Sequence, residues 1–348
     1  VWQEMFAAAK KTIDMGEFYF TPKAGEPAQK AFNELKKAGA RGVKIRVLAE
    51  KKMEKASEEG FAFLRTIPNL ELRVINFSGI QNDGILHAKY FMVDGAMAYA
   101  GSHNFDWRSL KHIHELGLKV TVPALVKQMG EIFEQDWKSQ PLAEAGQPVP
   151  TLNKEPPPAA VSDQAYLVAS PFAYNPPGIG DSQAELVRLI GAAQKDLSIQ
   201  LLDYAPVTRA HRYYPPIDNA LRDAALRGVK VRLLVSHWNT EKPAIDHLKS
   251  LSLLPGIEIR IVTLPQAAEG YIPFSRVIHS KYMVLDGKAL WLGTSNWSGG
   301  YLNNSRNLEL VIKDETLAAK AQALHSQLWD SAYAAPVDVA KTYPRPKR

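Results

Sequence analysis

Two stretches of the sequence repeat one pattern of polar residues at identical spacing. The first reads His87-Ala88-Lys89, then four residues, Asp94, then six residues, and Gly101-Ser102-His103-Asn104. The second reads His279-Ser280-Lys281, Asp286 and Gly293-Thr294-Ser295-Asn296, separated by the same intervals. Two matches to so long a pattern in one chain are too many for chance. The repeat therefore predicts two related units that together carry one chemistry.

The sequence around each motif alternates helical and strand-like segments in the same order. Near-identical apolar strands lie upstream of the motifs, at Gly42–Leu48 and Gly228–Leu234. The motif strands themselves are predicted at Leu86–Asp94 and Ile278–Asp286, and the closing helices at Leu125–Trp137 and Thr316–Trp329. This alternation predicts an α/β protein made of two similar domains, each a mixed sheet flanked by helices. A proline-rich stretch, 139–162, is the predicted linker between domains 1–138 and 163–348.

The composition limits the classes of function. The chain has 348 residues, enough for two domains, and its formal net charge is +6. It contains no cysteine, which excludes disulfides, zinc thiolates and a cysteine nucleophile. No apolar run reaches the length of a membrane span. The positive charge favours an anionic partner, either nucleic acid or a phospholipid surface. A periplasmic or secreted location is favoured.

The motif residues suit the cleavage of a phosphodiester. On a strand, His87 and Lys89 project to one side, whereas Asp94 lies an odd number of positions away and points to the other. Asp94 and Asp286 are therefore interpreted as anchors that hold the motif. Turns at the motif glycines bring the amides and hydroxyls back towards the lysines. These amides and hydroxyls belong to Asn104, Asn296, Ser102 and Thr294.

A pocket of this kind concentrates hydrogen-bond donors and positive charge. Such a pocket stabilises the negative charge that grows on a phosphoryl group in the transition state. The two lysine ammonium groups can stabilise this negative charge as metal ions do in other phosphodiesterases. A lysine beside the histidines would also repel a metal ion. We therefore expect no metal and no other cofactor. His103, inside the first G-S-x-N turn, is a further candidate for substrate contact.

A nucleophilic imidazole needs a partner that holds the proton on its second nitrogen. A carboxylate is the natural partner, and each half offers one downstream of its motif, Glu115 and Glu309. Aromatic residues near the motifs could stack on bases, namely Trp107, Tyr204 and Trp297. For the two tryptophans, packing in the core is an equally good interpretation.

With these residues in hand, the chain resembles the phospholipase D superfamily over nearly its full length. Segments 106–110, 203–206, 227–234 and 293–299 are similar to one branch, which holds mammalian lysosomal phospholipase-D-like exonucleases and poxvirus envelope and nicking-joining proteins. The resemblance implies two domains around a pseudo-two-fold axis with one shared site. It implies a phosphohistidine on His87, with His279 as general acid. It also implies that Glu309 supports His87 and that Glu115 supports His279.

Three functions remain open at this stage. The leading one is a metal-independent nuclease on single-stranded DNA or RNA, with 5′ exonuclease action as one form of it. The alternative is a phospholipase D or phosphatidyl transferase, because the same site cleaves lipid diesters. A binding protein that kept only the fold is the third. Since both half-sites lie in one chain, a monomer suffices for catalysis, and a homodimer is compatible with the sequence.

Overall fold

A computed structural model describes residues 1–154 and 164–348, and within them the first half forms four helices and eight strands. The helices are α1 (Trp2–Ala8), α2 (Pro27–Ala40), α3 (Glu58–Arg65) and α4 (Pro123–Glu144). The strands are β1 (Thr12–Glu17), β2 (Phe20–Thr21), β3 (Lys44–Glu50), β4 (Leu70–Ile75), β5 (Tyr90–Val93), β6 (Met97–Gly101), β7 (Phe105–Asp106) and β8 (Gly117–Val120).

The second half repeats this order with additional strands. Its helices are α5 (Ser182–Ala192), α6 (Pro215–Leu226), α7 (Ala244–Ser252) and α8 (Glu315–Trp329). Its strands are β9 (Ala165–Ser170), β10 (Gly180–Asp181), β11 (Asp196–Leu201), β12 (Lys230–Ser236), β13 (Ile257–Val262), β14 (Tyr282–Leu285), β15 (Ala289–Gly293), β16 (Asn307–Ile312) and β17 (Ala334–Pro336).

Each half is built on one mixed sheet, and the two sheets share a common arrangement. The first has the order β4-β3-β1-β5-β6-β8, and the second contains the equivalent order β13-β12-β11-β14-β15-β16 with β9, β10 and β17 added. In both, three parallel strands lie beside the antiparallel strands that carry the motif. The predicted fold class, two similar α/β domains with mixed sheets, is confirmed.

The motif strands are shorter than predicted. The pattern gave continuous strands Leu86–Asp94 and Ile278–Asp286, but regular pairing within each sheet begins only at Tyr90 and Tyr282. The residues before them are extended and form bridges to the opposite half, Leu86 to Arg306 and Ile278 to His114. A one-dimensional pattern shows an extended segment but not which half supplies its hydrogen-bond partner.

The predicted linker begins too early, because α4 runs to Glu144 and includes Pro141. A proline inside a helix leaves the carbonyl four residues earlier without its usual donor. Here that carbonyl, on Trp137, accepts a hydrogen bond from Arg73 at 3.2 Å. The helix therefore continues through the proline. The triple-proline run at 156–158 lies outside the described residues, and the domain boundaries stay a prediction.

An apolar cluster and a buried ion pair help to join the two halves. The cluster brings α4 side chains such as Met129 and Phe133 against Leu308 and Leu310 of β16. Beside it the Arg306 guanidinium lies 2.8 Å from the Asp136 carboxylate of α4, and both side chains are buried. Removing one partner of such a pair leaves a buried, uncompensated charge, which typically costs about 3–5 kcal/mol. The pair therefore fixes the segment that leads into β16.

Candidate active site

Each motif histidine is held by the backbone of the opposite half. The His87 N–H donates to the Arg306 carbonyl at 2.9 Å, and the Arg306 N–H donates to the Ile85 carbonyl at 2.9 Å. The second half-site repeats the arrangement, with the His279 N–H on the His114 carbonyl at 2.8 Å. Arg306 and His114 immediately precede the residues that contact the two imidazoles. The sequence repeat is thus folded into one composite site.

His279 has a carboxylate partner. Its Nδ1 lies 2.9 Å from the Glu115 carboxylate, and the Glu115 side chain is almost completely buried. Burial raises the pKa of Glu115 to about 7. The predicted pairing of Glu115 with His279 is confirmed. The carboxylate therefore orients the ring so that its second nitrogen, Nε2, is the one available for chemistry.

His87 has an amide partner, and the predicted pairing with Glu309 is wrong. The His87 Nδ1 lies 2.9 Å from the Asn307 side-chain oxygen. The Glu309 carboxylate instead accepts hydrogen bonds from the hydroxyls of Ser182 and Ser295. It is fully buried, and burial raises its pKa to about 7. Glu309 lies two residues after Asn307, the residue that contacts His87. Because side chains alternate along a strand, residues 307 and 309 lie on the same face of β16.

A signal for Asn307 was present in the sequence. Asn307 follows His279 by 28 residues, the interval by which Glu115 follows His87. Because an amide stands at this position, a pattern that requires a carboxylate does not include it. Spacing was a better guide than residue type.

Asn307 is held in one orientation. Its side-chain oxygen also accepts the Thr294 hydroxyl at 2.8 Å, and its amide nitrogen donates to the Tyr301 carbonyl at 2.9 Å. The atom facing His87 is therefore the oxygen, which can only accept a hydrogen bond. Nδ1 of His87 must then carry the proton, and the lone pair of Nε2 is free.

The two lysines are buried between the histidines. Each ammonium donates to the carbonyl of its own motif histidine, His87 for Lys89 and His279 for Lys281. Burial lowers the pKa of Lys281 to about 8, and burial together with the Lys281 charge lowers the pKa of Lys89 well below its usual value. Burial and both ammonium groups lower the pKa of the two imidazoles as well. The free site thus gathers positive charge that a bound anion would offset.

The side-chain oxygens of the motif amides are unpaired, whereas the motif hydroxyls are hydrogen-bonded within the protein. Asn104 and Asn296 are buried, and their side-chain oxygens have no hydrogen-bond partner among the described residues. The Ser102 hydroxyl bonds the Leu116 backbone, and the Thr294 hydroxyl bonds Asn307 and the Leu308 N–H. Both hydroxyls are thus engaged within the protein, and contact of Ser102 and Thr294 with substrate stays a prediction. They tie the motif turn to the strand that carries the histidine's partner.

The motif aspartates lie away from this pocket. The Asp94 carboxylate accepts the backbone N–H groups of residues 10–12, and Asp286 accepts those of residues 194–196. Burial is the largest single influence and raises the pKa of both carboxyls, but the three backbone hydrogen bonds together lower it below the usual value. Both residues adopt positive φ, +54° and +50°. The geometry matches an anchoring role for both.

The aromatic candidates fall into two groups. Tyr204 and Trp297 are buried in the core of the second half, as the packing interpretation of Trp297 predicts, and substrate contact of either residue stays a prediction. A backbone bridge joins the two residues to each other, and the Tyr204 hydroxyl donates to the buried Asp218 carboxylate at 2.6 Å. Trp107 is half-buried with the Lys23 ammonium 3.9 Å above its ring, and His103 bonds the Tyr99 hydroxyl at 2.6 Å. For Trp107 and His103 substrate contact stays a prediction.

Two expected absences concern the whole molecule. Within residues 1–154 and 164–348, no group of three or more acidic or histidine side chains is arranged to hold a metal ion. That a metal or other cofactor is not needed stays a prediction. None of the helices in these ranges is both long and apolar enough to span a bilayer.

Comparison with known proteins agrees with this geometry. The family model described as "Cardiolipin synthase, PLD-like domain" matches residues 3–137 and 186–329, which include both motifs. The chain therefore belongs to the phospholipase D superfamily, a family of phosphodiesterases.

Relatives within the superfamily have different names. The chain is 33% identical to phospholipase D Z of Dictyostelium discoideum, over 97% of this chain and 85% of that protein. It is 32% identical to the 5′-3′ exonuclease PLD3 of Xenopus laevis, over 95% of this chain and 75% of that one. A probable phospholipase D of Caenorhabditis elegans is 29% identical over 95% of this chain, which spans 66% of that protein.

Among solved structures, phosphatidylserine synthase of Haemophilus influenzae is similar with a TM-score of 0.69. The two are 14% identical, and the match covers 96% of this chain and 84% of that one. This likeness shows the fold alone.

Proposed function

We propose that the protein is a metal-independent phosphodiesterase that cleaves single-stranded nucleic acid through a phosphohistidine on His87. The observation that carries the proposal is the difference between the two histidine partners. The Asn307 side-chain oxygen, which can only accept a hydrogen bond, fixes His87 as a neutral imidazole with a free Nε2. A carboxylate that can exchange a proton stands beside His279.

In the first displacement, Nε2 of His87 attacks phosphorus while His279 donates a proton to the leaving oxygen. The P–N bond forms as the P–O bond to the leaving group breaks. Glu115 and Nδ1 of His279 share one proton. Whether the carboxylate or Nδ1 holds that proton, Nε2 of His279 carries a hydrogen of its own. Near neutral pH, the raised pKa of Glu115 keeps this proton in the pair.

In the second displacement, His279 removes a proton from water, whose oxygen attacks phosphorus. The P–N bond breaks, His87 leaves as a neutral imidazole, and a phosphomonoester is the product. Lys89 and Lys281 face the phosphoryl oxygens in both steps, with Asn104 and Asn296 donating amide hydrogen bonds. Because these donors are already in place, they stabilise the negative charge on the phosphoryl oxygens without a rearrangement during the reaction.

The choice of substrate rests on the relatives and on the net charge. The relative named as a 5′-3′ exonuclease covers almost the whole chain, and the net charge of +6 suits a polyanion. The relative named phospholipase D from Dictyostelium is equally similar, so a phospholipase is the second candidate. Removal of nucleotides from the 5′ end is the form of nuclease action we expect.

The deciding experiment offers both substrate classes to one preparation in excess EDTA. We expect single-stranded DNA or RNA labelled at either end to be shortened, and phosphatidylcholine vesicles to stay intact. His87→Ala protein, prepared identically, controls for contaminating nucleases. Choline release without oligonucleotide cleavage would replace the nuclease with the phospholipase. Activity that EDTA abolishes and a divalent ion restores would remove the proposed mechanism.

A further inference from the structure

A cavity of about 220 Å³ lies beside the composite site. Its walls come entirely from the second half and include Asp203, Arg209, Trp238, Ala244 and Tyr301. Tyr301 also packs against the nucleophile, with ring centroids of Tyr301 and His87 4.7 Å apart. The cavity and the reacting phosphorus would therefore share a wall.

The equivalent side of the first half also has a cavity, lined by different residues that include Lys23, Glu59 and Trp107. Trp107 and Arg108 follow Asn104 at the positions where Gly299 and Gly300 follow Asn296. Arg108 forms an ion pair with the buried Asp106 and donates to the Pro273 carbonyl at 2.9 Å.

In the second half, Gly299 and Gly300 let residues 208–209 pack directly against their backbone. A Cβ on Gly300 would lie 2.5 Å from the Arg209 side chain. The two halves thus differ in the residues beside the site as well as in histidine partner.

The lining suits a flat heterocycle. Tyr301 and Trp238 supply aromatic surface, and the Arg209 guanidinium lies 5.5 Å from the Tyr301 ring centroid. The indole N–H of Trp238 is buried without an acceptor among the described residues. Asp203 adds a carboxylate. Stacking surface, donors and an acceptor together match the faces and edges of a nucleobase, whereas a cavity of this size and polarity does not match two acyl chains.

We propose that this cavity binds the base of the nucleoside that stays attached to phosphorus in the covalent intermediate. The leaving oxygen must lie opposite the attacking nitrogen, beside His279. A cavity that shares a wall with His87 is thus on the side of the retained group. The inference rests on the proposed nuclease function and specifies which nucleotide the enzyme holds while water enters.

The test uses two chromogenic diesters that share a leaving group. Thymidine 3′-(p-nitrophenyl phosphate) retains a nucleoside on phosphorus, whereas methyl p-nitrophenyl phosphate retains only a methyl group. Trp238→Ala removes stacking surface, and Ala244→Phe fills the cavity without removing a contact. Tyr333→Ala, which alters an exposed aromatic residue outside the cavity, is the matched control.

We expect both cavity variants to lower kcat/KM for the thymidine diester about ten- to a hundredfold, the usual effect of losing one stacked base. The methyl diester should be cleaved as by the wild type, and the control should change neither. Equal losses on both diesters, or no loss on either, would overturn the cavity assignment while leaving a nuclease intact. Failure of the wild type on oligonucleotides and the thymidine diester would overturn both proposals.

Discussion

The two half-sites are built from the same elements and differ at the atom that faces the imidazole. In one, a carboxylate of Glu115 contacts His279; in the other, an amide of Asn307 contacts His87. Both partners occupy the same position relative to their motif. A carboxylate stabilises an imidazolium, whereas an amide oxygen fixes a neutral tautomer. In the proposed mechanism, this one difference between the halves separates the acid from the nucleophile.

The strongest test of this difference between the half-sites is to replace each histidine by alanine in turn. We expect His87→Ala to form no covalent adduct and to lose about 10⁴-fold or more in turnover. His279→Ala should still form an adduct from a p-nitrophenyl diester, because that leaving group needs no proton. The adduct should then persist, since no base activates water. Intact-mass spectrometry after mixing reads out both results.

The stereochemistry at phosphorus provides an independent check on the same two steps. Two inversions should give net retention, measured with a chiral phosphorothioate diester. An adduct on His87→Ala but not on His279→Ala would exchange the roles of the half-sites. A single inversion would remove the covalent intermediate.

The lysines should behave alike, since they are placed alike. Lys89→Met and Lys281→Met each remove one ammonium group facing the phosphoryl oxygens, which typically costs about a hundred- to a thousandfold in rate. Near-normal turnover of either variant would contradict this placement.

The same lysine variants should leave the fold at least as stable as the wild type. The pKa of Lys281 is about 8 in the folded protein against an ordinary value of 10.5. Between these values the unfolded chain binds more protons, so this residue makes stability rise with pH. Thermal unfolding of Lys281→Met should show a shallower rise across that range, and a collapse in Tm would be contrary to expectation.

The sequence predicted the fold and most of the site because both depend on local spacing. Alternating strands and helices, together with a motif repeated at one interval, are properties of short segments. His87, Lys89, His279 and Lys281 were found in this way, and the contact between Glu115 and His279 followed from the resemblance. The structure places all of them in one pocket.

What the sequence did not predict depends on contacts between distant segments. Whether Glu309 or Asn307 meets His87 depends on how β16 docks against the other half, where Arg306 and Asp136 fix its start. The hydrogen bonds of the Ser102 and Thr294 hydroxyls with the backbone of Leu116 and Leu308 were not predicted either. The helix through Pro141 needed Arg73 from a distant strand. None of these partners is visible in a local pattern.

Replacing the residue that contacts each histidine should move one limb of the pH profile, the acid limb for His87 and the alkaline limb for His279. In Asn307→Asp a carboxylate beside His87 favours the imidazolium, so the acid limb of kcat/KM should move to higher pH. In Glu115→Gln the loss of negative charge disfavours the His279 imidazolium, so the alkaline limb should move to lower pH. We expect rate losses of up to about a hundredfold near the optimum. Profiles on a diester with an alkoxide leaving group measure both shifts.

A p-nitrophenyl diester is the matched control for these two variants. It needs no proton on the leaving oxygen, so Glu115→Gln should slow its first step little. Asn307→Asp should slow that step as much as it slows the alkoxide diester. If both variants moved the same limb, the partners would not set the roles of the histidines.

The smallest effect on chemistry is expected where the halves are most alike, at the two anchoring aspartates. Asp94 and Asp286 each accept three consecutive backbone N–H groups and adopt the left-handed conformation. Asparagine tolerates that conformation and keeps an accepting oxygen, so Asp94→Asn and Asp286→Asn remove mainly the charge.

Each of these variants should therefore lose about 1–2 kcal/mol of stability, similar for the two, with little change in turnover per folded molecule. The wild-type pKa of both carboxyls is lowered, so their contribution is present above the ordinary value of 3.8 and is lost as pH falls through the folded-state pKa. Urea unfolding at pH 7 and pH 3 should consequently show a smaller difference from the wild type at the lower pH. Unequal losses would mean that the halves are not equivalent even in their anchors, and a loss of turnover like that of the lysine variants would place the aspartates in the catalytic site.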